Sequence, residues 1–167
     1  MLIELLDFLL LVRVMIRSPN GKVEVAWVPN HQLRSALNIF KEFIYKGLEE
    51  DTEINIGKLI LELFSGDARL GIIYEIDPFL PIGSWFSDIR IDEEQKYDYV
   101  TIYGLSGKNP NDWARGLKTL VEDWAKQENC RSYRWHGRLA WLRYSDDIRL
   151  LKAINRREGL FEKVIQL

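Results

Sequence analysis

The sequence predicts an α+β domain in which a mixed, mostly antiparallel sheet carries helices on both faces. Three observations lead to this prediction. The first half of the chain has two segments with the apolar spacing of amphipathic helices. The middle is a series of apolar and aromatic strand segments separated by short turns, and a strand, a helix and another strand follow it. An antiparallel meander followed by such a crossover gives a mixed sheet covered by helices.

The composition is that of one globular domain. The chain has 167 residues, 47% hydrophobic and 12% aromatic, which is enough for one core and too little for two ordinary ones. A net charge of −2 gives no general reason to bind nucleic acid or an anionic membrane. Cys130 is the single cysteine, so the sequence excludes an internal disulfide framework and a cysteine-based zinc site. The two histidines lie far apart, and we expect no metal centre.

An apolar extension, residues 1–17, precedes a single domain that spans residues 18–167. Glu4 and Asp7 interrupt its apolar run and no basic residue precedes it, which does not fit a signal peptide. At about 15 residues the run is also short for a membrane span, which needs roughly 20. We expect a helix or strand that covers the domain, or a docking segment for another subunit within residues 2–16. A translation start at Met15 is a third possibility.

The first half of the chain contains a strand, two helices and two further strands. Residues 22–28 alternate with period two and predict the first strand. Apolar residues at helical spacing predict one amphipathic helix over 32–48 and a second over 56–64. Residues 68–76 and 84–91 predict two strands joined by a connection rich in proline and glycine.

The second half begins with a strand over residues 97–103 and a glycine-bearing loop. Trp113, Leu117, Leu120, Val121 and Trp124 then share one face of the clearest helix in the chain. The remaining predicted elements are a strand over 130–135, a short helix from 137 to 144 that continues helically over 148–155, and a last strand over 160–167.

This order of elements, from about residue 23 to residue 167, resembles the GNAT acyltransferase fold. A narrower likeness lies in three segments: Asp112-Trp113, Trp124-Ala125-Lys126-Gln127-Glu128-Asn129-Cys130 and Gly137-Arg138-Leu139-Ala140-Trp141-Leu142-Arg143. They resemble a group of GNAT-like proteins encoded by tailed phages and prophages. The resemblance implies a GNAT-like fold and a virion or phage-genome context, with the virion or the host cytoplasm as the location.

The resemblance also makes the glycine-bearing loop a candidate cofactor site. In catalytic GNAT proteins this loop carries Arg/Gln-x-x-Gly-x-Gly/Ala, and its backbone N–H groups bind the pyrophosphate of coenzyme A. The residues at the corresponding positions here are Gly104, Gly107, Lys108 and Asn109. Gly107 matches the central glycine and Lys108 adds a positive charge, whereas Gly104 and Asn109 depart from the pattern.

Two further residues argue against a working cofactor loop. Pro110 has no backbone N–H to donate. Asp112 brings a carboxylate to the first helical turn, where it can satisfy the helix donors itself and repel a phosphate. We therefore expect a structural corner with no cofactor, and the alternative is a cradle for acetyl-CoA.

Acyl transfer would also need an acid for the leaving thiolate and a base for the amine. The acid implied by the resemblance is Tyr144, which lies four residues after Ala140; the alternative is a packing role for this tyrosine. A base could come from the carboxylates of the central strands, which the sequence does not rank: Glu75, Asp88 and Asp98.

Arginine and aromatic residues crowd the segment 131–144. Such pairs can stack on bases, but they also mark protein–protein interfaces. Acidic residues are interspersed in the same region, so we expect ion pairing or a protein partner rather than nucleic acid. Partners, such as other virion subunits, would bind through this segment or through residues 2–16.

The first functional hypothesis is therefore a phage GNAT-fold protein that acts as a virion or head–tail assembly component with a degenerate cofactor loop. The alternative hypothesis is an acetyl-CoA-dependent N-acyltransferase. It would use Gly107 and Lys108 at the pyrophosphate and Tyr144 as the acid.

Overall fold

The computed structural model describes residues 14–51, 54–138 and 147–165. Its strands are β1 (Met15–Arg17), β2 (Val23–Trp27), β3 (Ala68–Glu75), β4 (Leu80–Asp92), β5 (Tyr97–Gly107), β6 (Ser132–Arg138), β7 (Ile148–Ala153) and β8 (Glu158–Val164). Its helices are α1 (Leu33–Ile39), α2 (Lys41–Glu49), α3 (Ile56–Ser65) and α4 (Ala114–Gln127), with short 3-10 turns at Asn30–Gln32 and Pro110–Asp112.

The strands form an eight-stranded sheet in the order β1-β2-β3-β4-β5-β6-β8-β7. Strands β5 and β6 run parallel, from Tyr99↔Ser132 to Ile102↔Trp135. The pairs β1–β2, β2–β3, β6–β8 and β7–β8 are antiparallel. Parallel neighbours need a crossover connection, and α4 lies in the chain between β5 and β6. The prediction of an α+β fold with a mixed, mostly antiparallel sheet is confirmed.

The chain divides into two compact units. The first comprises the chain up to Phe86 together with Gly104–Leu120, and the second comprises Ser87–Tyr103 together with the chain from Val121 onward.

In the first unit, helices cover both faces of the sheet. A Cβ added to Gly116 of α4 would lie 3.1 Å from the Val25 side chain, so α4 packs on that face of β2. Adjacent strand residues point to opposite faces, and the Tyr74 hydroxyl donates to Glu24, the neighbour of Val25, at 2.6 Å. On this second face Tyr74 stacks near Phe79, whose ring contacts Phe40 at the end of α1.

In the second unit, an aromatic stack on β6 and β8 forms part of the core. The ring centroids of Tyr133 and Trp135 are 5.4 Å apart, and those of Trp135 and Phe161 are 5.6 Å apart. Phe161 is fully buried, and Cys130 just before β6 is buried as well. Burial raises the pKa of the Cys130 thiol to about 11, helped by the negative charges of Asp98 and Glu128.

Two helix predictions need correction. The single helix expected over 32–48 is two helices, because the backbone of the buried Phe40 leaves the helical conformation between α1 and α2. The helix expected over 148–155 is strand β7, which pairs with β8 at the edge of the sheet. Gly137 and Arg138 belong to β6, so the short helix does not begin at 137; residues 139–144 of that prediction lie outside the described residues.

Residues 15–17 of the predicted extension form β1 and pair with β2 at the opposite edge of the sheet. Arg17 reaches from β1 to Glu24, with its Nη2 2.6 Å from the carboxylate. Residues 1–13 lie outside the described part of the chain. Within the described residues, the helices are too short or too polar to cross a membrane, and no cluster of histidine, cysteine or acidic side chains could hold a metal ion.

Candidate functional site

The candidate site is the corner between β5 and α4, residues 104–113. Strand β5 continues through Gly107, so the glycines predicted to form a loop lie instead at the end of a strand. Gly104 has a left-handed φ of 57° inside this strand, a conformation that glycine adopts without a steric penalty. Left-handed glycines within strands mark bulges, which are common beside active sites.

Helix α2 fixes the backbone at this kink. A Cβ added to Gly47 would overlap the carbonyl oxygen of Gly104, so helix and strand backbones are in direct contact. The side chains of Phe86 and Leu48 pack against the open side of Gly104. The kink is therefore held by packing from the helix as well as from the neighbouring strand.

Hydrogen bonding to β4 extends the strand structure beyond Gly107. The Lys108 N–H donates to the carbonyl oxygen of Ile82 at 2.9 Å. Strands β4 and β5 approach closely here, since a Cβ added to Gly83 would lie 2.7 Å from the carbonyl oxygen of Ser106. The ladder to β4 is the physical reason why the sequence prediction of a loop from residue 104 is wrong.

The Trp113 side chain packs against the corner at Gly107 and Lys108. Its indole N–H donates to the carbonyl oxygen of Lys108 at 2.7 Å. The same ring would lie 2.9 Å from a Cβ on Gly107, so the indole covers the face of that glycine. Trp113 itself is buried. The sequence analysis placed Trp113 on the apolar face of the helix, and no local pattern indicates its bond to Lys108, five residues earlier.

A 3-10 turn links Lys108 to α4. Asn109 has a left-handed φ of 53°, and Pro110 follows as the first residue of the turn. The Asp112 N–H donates to the carbonyl oxygen of Asn109 at 3.0 Å, and the Trp113 N–H donates to that of Pro110 at 3.2 Å. The turn thus engages the N–H groups of Asp112 and Trp113 within its own backbone.

The lysine of the corner points toward α2. The Lys108 ammonium lies 5.9 Å from the ring centroid of Phe43, within the range of a cation–π contact. Its charge is placed against an aromatic face of the helix.

The second unit contains a separate polar network around Glu162 of β8. This carboxylate is fully buried. It accepts hydrogen bonds from four side chains, at distances from 2.6 to 3.1 Å: Tyr97, Ser132, Arg134 and Arg149. Burial alone would raise the pKa of Glu162, but the donors together outweigh burial and lower it. Glu162 is one of the acidic residues that the sequence analysis expected to form ion pairs in this region, and its pairs with Arg134 and Arg149 agree with that expectation.

Arg134 connects this network to β4 and β5. Its guanidinium pairs with Asp92 as well as with Glu162 and lies 4.0 Å from the ring centroid of Tyr99. Burial opposes the charge of Arg134, yet its anionic and hydroxyl partners raise the pKa of the guanidinium above its ordinary value. In the arginine and aromatic segment, Arg134, Tyr133 and Trp135 therefore have internal contacts; residues 139–144 of it lie outside the described residues.

The three carboxylates predicted as possible bases occupy different settings. Asp88 accepts hydrogen bonds from the Thr101 hydroxyl and pairs with Arg90, whose Nε lies 3.1 Å away. Asp98 is exposed, and Glu75 is half-buried at the end of β3. Tyr144, the predicted acid, lies outside the described residues, so its place relative to the corner stays a prediction.

The strand order, the parallel β5–β6 pair and the α4 crossover define a GNAT-fold protein, in agreement with the predicted fold. FeeM, an N-acyl amino acid synthase from uncultured soil microbes, superposes with a TM-score of 0.62 at 7% identity, over 86% of this chain and 90% of that one. FdhC, a nucleotide-linked sugar GNAT, gives a TM-score of 0.57 at 11% identity over 92% and 91%. An acetyltransferase from Streptococcus agalactiae gives 0.55 at 12% identity over 86% and 99%.

No family model matches the chain, and no curated protein matches its sequence. At these identities the structural likeness establishes the fold, and fold alone does not assign an activity.

Proposed function

We propose that this protein is an N-acyltransferase, which moves an acyl group from a thioester to an amine. The observation that carries the proposal is the likeness of nearly the whole chain to GNAT enzymes, at 86% to 92% coverage. Both named acyl-transferring neighbours, the N-acyl amino acid synthase and the acetyltransferase, agree with the alternative hypothesis from the sequence.

The corner supports this proposal through its backbone. Gly104 in strand β5 has a left-handed φ, and Gly47 of α2 contacts its backbone because it has no side chain. A backbone held this rigidly next to a strand end is suited to orienting a substrate group, because positioning contributes a large part of catalysis.

The reaction has a simple balance. The amine nitrogen attacks the thioester carbonyl carbon, a C–N bond forms and the C–S bond breaks. The amine loses a proton and the leaving thiolate gains one, so an acid and a base assist. Tyr144 is the proposed acid. Asp88 is a poor choice of base, because its carboxylate is already engaged by Thr101 and Arg90.

The virion hypothesis has less support. None of the three named neighbours is described as a virion protein: they are an N-acyl amino acid synthase, an acetyltransferase and a nucleotide-linked sugar GNAT. A role in particle assembly through residues 2–16 stays a prediction, and mass spectrometry of purified particles would test it.

An acyl-transfer assay tests the proposed function. The protein is incubated with acetyl-, octanoyl- and palmitoyl-thioesters of coenzyme A and of pantetheine, and with amino acids, amino sugars and peptide N-termini as acceptors. We expect amine-dependent release of free thiol and a product whose mass increases by that of the acyl group. No amine-dependent thiol release with any pair would overturn the proposal.

A further inference from the structure

A cavity of about 630 Å³, called the groove below, lies in the first unit where the start of β1, the end of β2 and the start of β3 meet α3. We infer that residues 2–12 of this chain pack into the groove and over the neighbouring face of α3 within the same molecule. These residues lie outside the described part of the chain. The inference concerns an interaction surface, and it is independent of the proposed acyl transfer.

Most of the described residues that line the groove are apolar, and they come from several elements of the first unit. Trp27 lies at the end of β2, Leu33 at the start of α1 and Leu63 in α3. Leu70 of β3 joins them, and all four side chains are buried. Val14 lines the groove as well, but it is 56% exposed. The groove therefore offers an apolar concavity to an apolar occupant.

Helix α3 extends this apolar surface toward solvent. Ile56, Ile60 and Phe64 follow one another at a spacing of four residues, so they share one face of the helix. Leu61 lies beside Phe64, and between 44% and 73% of each of these four side chains is exposed. Asn30, which lines the groove, donates to the carbonyl oxygen of Phe64 at 3.4 Å, so the face adjoins the groove. A contiguous apolar surface of this kind marks an interaction site, whereas single exposed apolar residues are ordinary.

The described part of the chain begins at the groove. The carbonyl oxygen of Val14 accepts a hydrogen bond from the Trp27 N–H at 3.1 Å, which holds Val14 against the end of β2. Residue 12 therefore lies within about 7 Å of Val14. The eleven residues 2–12 span about 16 Å as a helix and about 36 Å when fully extended, while the ten residues of α3 span about 15 Å. In either conformation the segment reaches both the groove and the exposed face of α3.

The composition of residues 2–12 matches this surface. Nine of the eleven residues are leucine, isoleucine, phenylalanine or valine, and the other two are Glu4 and Asp7. In the groove the Arg69 guanidinium lies 5.8 Å from the ring centroid of Trp27, and none of the described residues that line the groove is acidic. An apolar segment with two negative charges thus faces an apolar groove that carries a positive charge. Burial of this segment also removes its apolar surface from water.

The covalent link to Val14 favours this segment over other occupants of the groove. A segment joined directly to one wall of its binding site has an effective concentration in the millimolar range. The equivalent segment of a second copy, or a free apolar ligand, has to reach such a concentration in solution to compete. We therefore assign the groove to the chain's own residues 2–12.

A spin label at position 4 of the full-length protein tests this assignment. The label is attached to Glu4→Cys, since the native Cys130 is buried, and paramagnetic broadening of amide resonances is measured by NMR. We expect strong broadening at Leu33 and Ala68 in the groove. Ile76, eight residues along the chain from Ala68 at the other end of β3 and about 26 Å away, should remain sharp. Absence of selective broadening at the groove would overturn the inference.

A mixed sample distinguishes the chain's own segment from that of a second copy. Spin-labelled protein without ¹⁵N is added to unlabelled ¹⁵N protein, so that any broadening arises between molecules. We expect sharp resonances at Leu33 and Ala68 in this sample. Broadening at the groove as strong as in the singly labelled protein would show docking on another copy, and would overturn the inference.

Substitution of Phe64 tests whether the exposed face of α3 is covered. Serine, phenylalanine and tyrosine have similar helix propensities, so Phe64→Ser at an uncovered position should change stability little. If the segment covers Phe64, we expect the unfolding equilibrium constant measured in urea to rise about tenfold, because the exposed half of the ring is then buried. Tyr45→Ser on α2, where 63% of the side chain is exposed, is the matched control and should stay within about twofold. An effect of Phe64→Ser no larger than that of the control would contradict the inference.

Discussion

The indole N–H of Trp113 donates to the carbonyl oxygen of Lys108, 2.7 Å away, and joins the start of α4 to the end of β5. This bond and the Lys108 N–H bond to Ile82 leave both backbone groups of Lys108 occupied. These two bonds tie β4, β5 and the start of α4 together at Lys108, so the path of the turn depends on both of them.

Substitution of Trp113 separates packing from hydrogen bonding. Trp113→Phe keeps most of the ring but leaves the Lys108 carbonyl without its donor, so we expect a loss of about 1 kcal/mol in the free energy of unfolding. Trp113→Ala also empties a buried site and should cost about 3–5 kcal/mol. Urea denaturation measures both. Asn111→Ala, at an exposed position in the same turn, is the control and should change stability by less than about 0.5 kcal/mol. Equal stability of Trp113→Phe and the parent protein would show that the indole bond contributes nothing.

Gly47 gives a test in which helix propensity and packing predict opposite signs. Alanine normally stabilises a helix relative to glycine by about 0.8–1 kcal/mol. At Gly47 the added Cβ would overlap the Gly104 carbonyl, so we expect Gly47→Ala to be destabilising. Gly57→Ala in α3 is the matched control, because its Cβ would lie 3.5 Å from the nearest atom and should be neutral or stabilising. Stabilisation by both substitutions would contradict the contact between α2 and β5.

The lowered pKa of Glu162 predicts how the free energy of unfolding depends on pH. Its pKa in the folded protein is lowered, so its stabilising contribution is present above its unfolded pKa of about 4.3 and is lost as pH falls through the folded value. At pH values below about 4, we expect the urea concentration at the unfolding midpoint to decrease, and to decrease less steeply with pH in Glu162→Gln. Glu162→Ala would remove one of the two carboxylates that pair with Arg134, and it should lower the free energy of unfolding by about 3 kcal/mol or more at pH 7. Parallel pH profiles for the parent protein and Glu162→Gln would refute this role.

Tyr144 tests the proposed chemistry independently of the donor. If its hydroxyl protonates the leaving thiolate, Tyr144→Phe should lower kcat by about 10²-fold or more and remove the basic limb of the pH–rate profile. Tyr45→Phe, at an exposed position on α2, is the control and should leave kcat unchanged. An unaltered kcat and pH profile in Tyr144→Phe would exclude the acid role and favour packing.

Much of the element order could be predicted from local patterns. The apolar helix face from Trp113 to Trp124 and the strands of the meander have strong periodicity, and the observed α4 and β3–β5 agree with these predictions. Strand β7 could not be predicted in this way, because its apolar residues Leu150 and Leu151 lie side by side at an exposed edge and its strand structure depends on pairing with β8.

The structure of the corner could be predicted only in part from the sequence. Pro110, which has no N–H, and Asp112, which carries a carboxylate, predict a weak anion site. The bond from Lys108 to Ile82 and the cover that Trp113 places on Gly107 depend on residues distant in sequence or on the path of the turn. Ion pairing by Glu162 was expected from the arginines of this region, but its hydrogen-bond network could not be predicted, because the four partners come from three other strands: β5, β6 and β7.

The central claim, acyl transfer by this chain, is tested most directly by the release of thiol from an acyl thioester in the presence of an amine. We predict that this release requires both the thioester and the amine, and that the acylated amine accumulates with it. Thiol release that does not depend on the amine, or no release at all, would contradict the account.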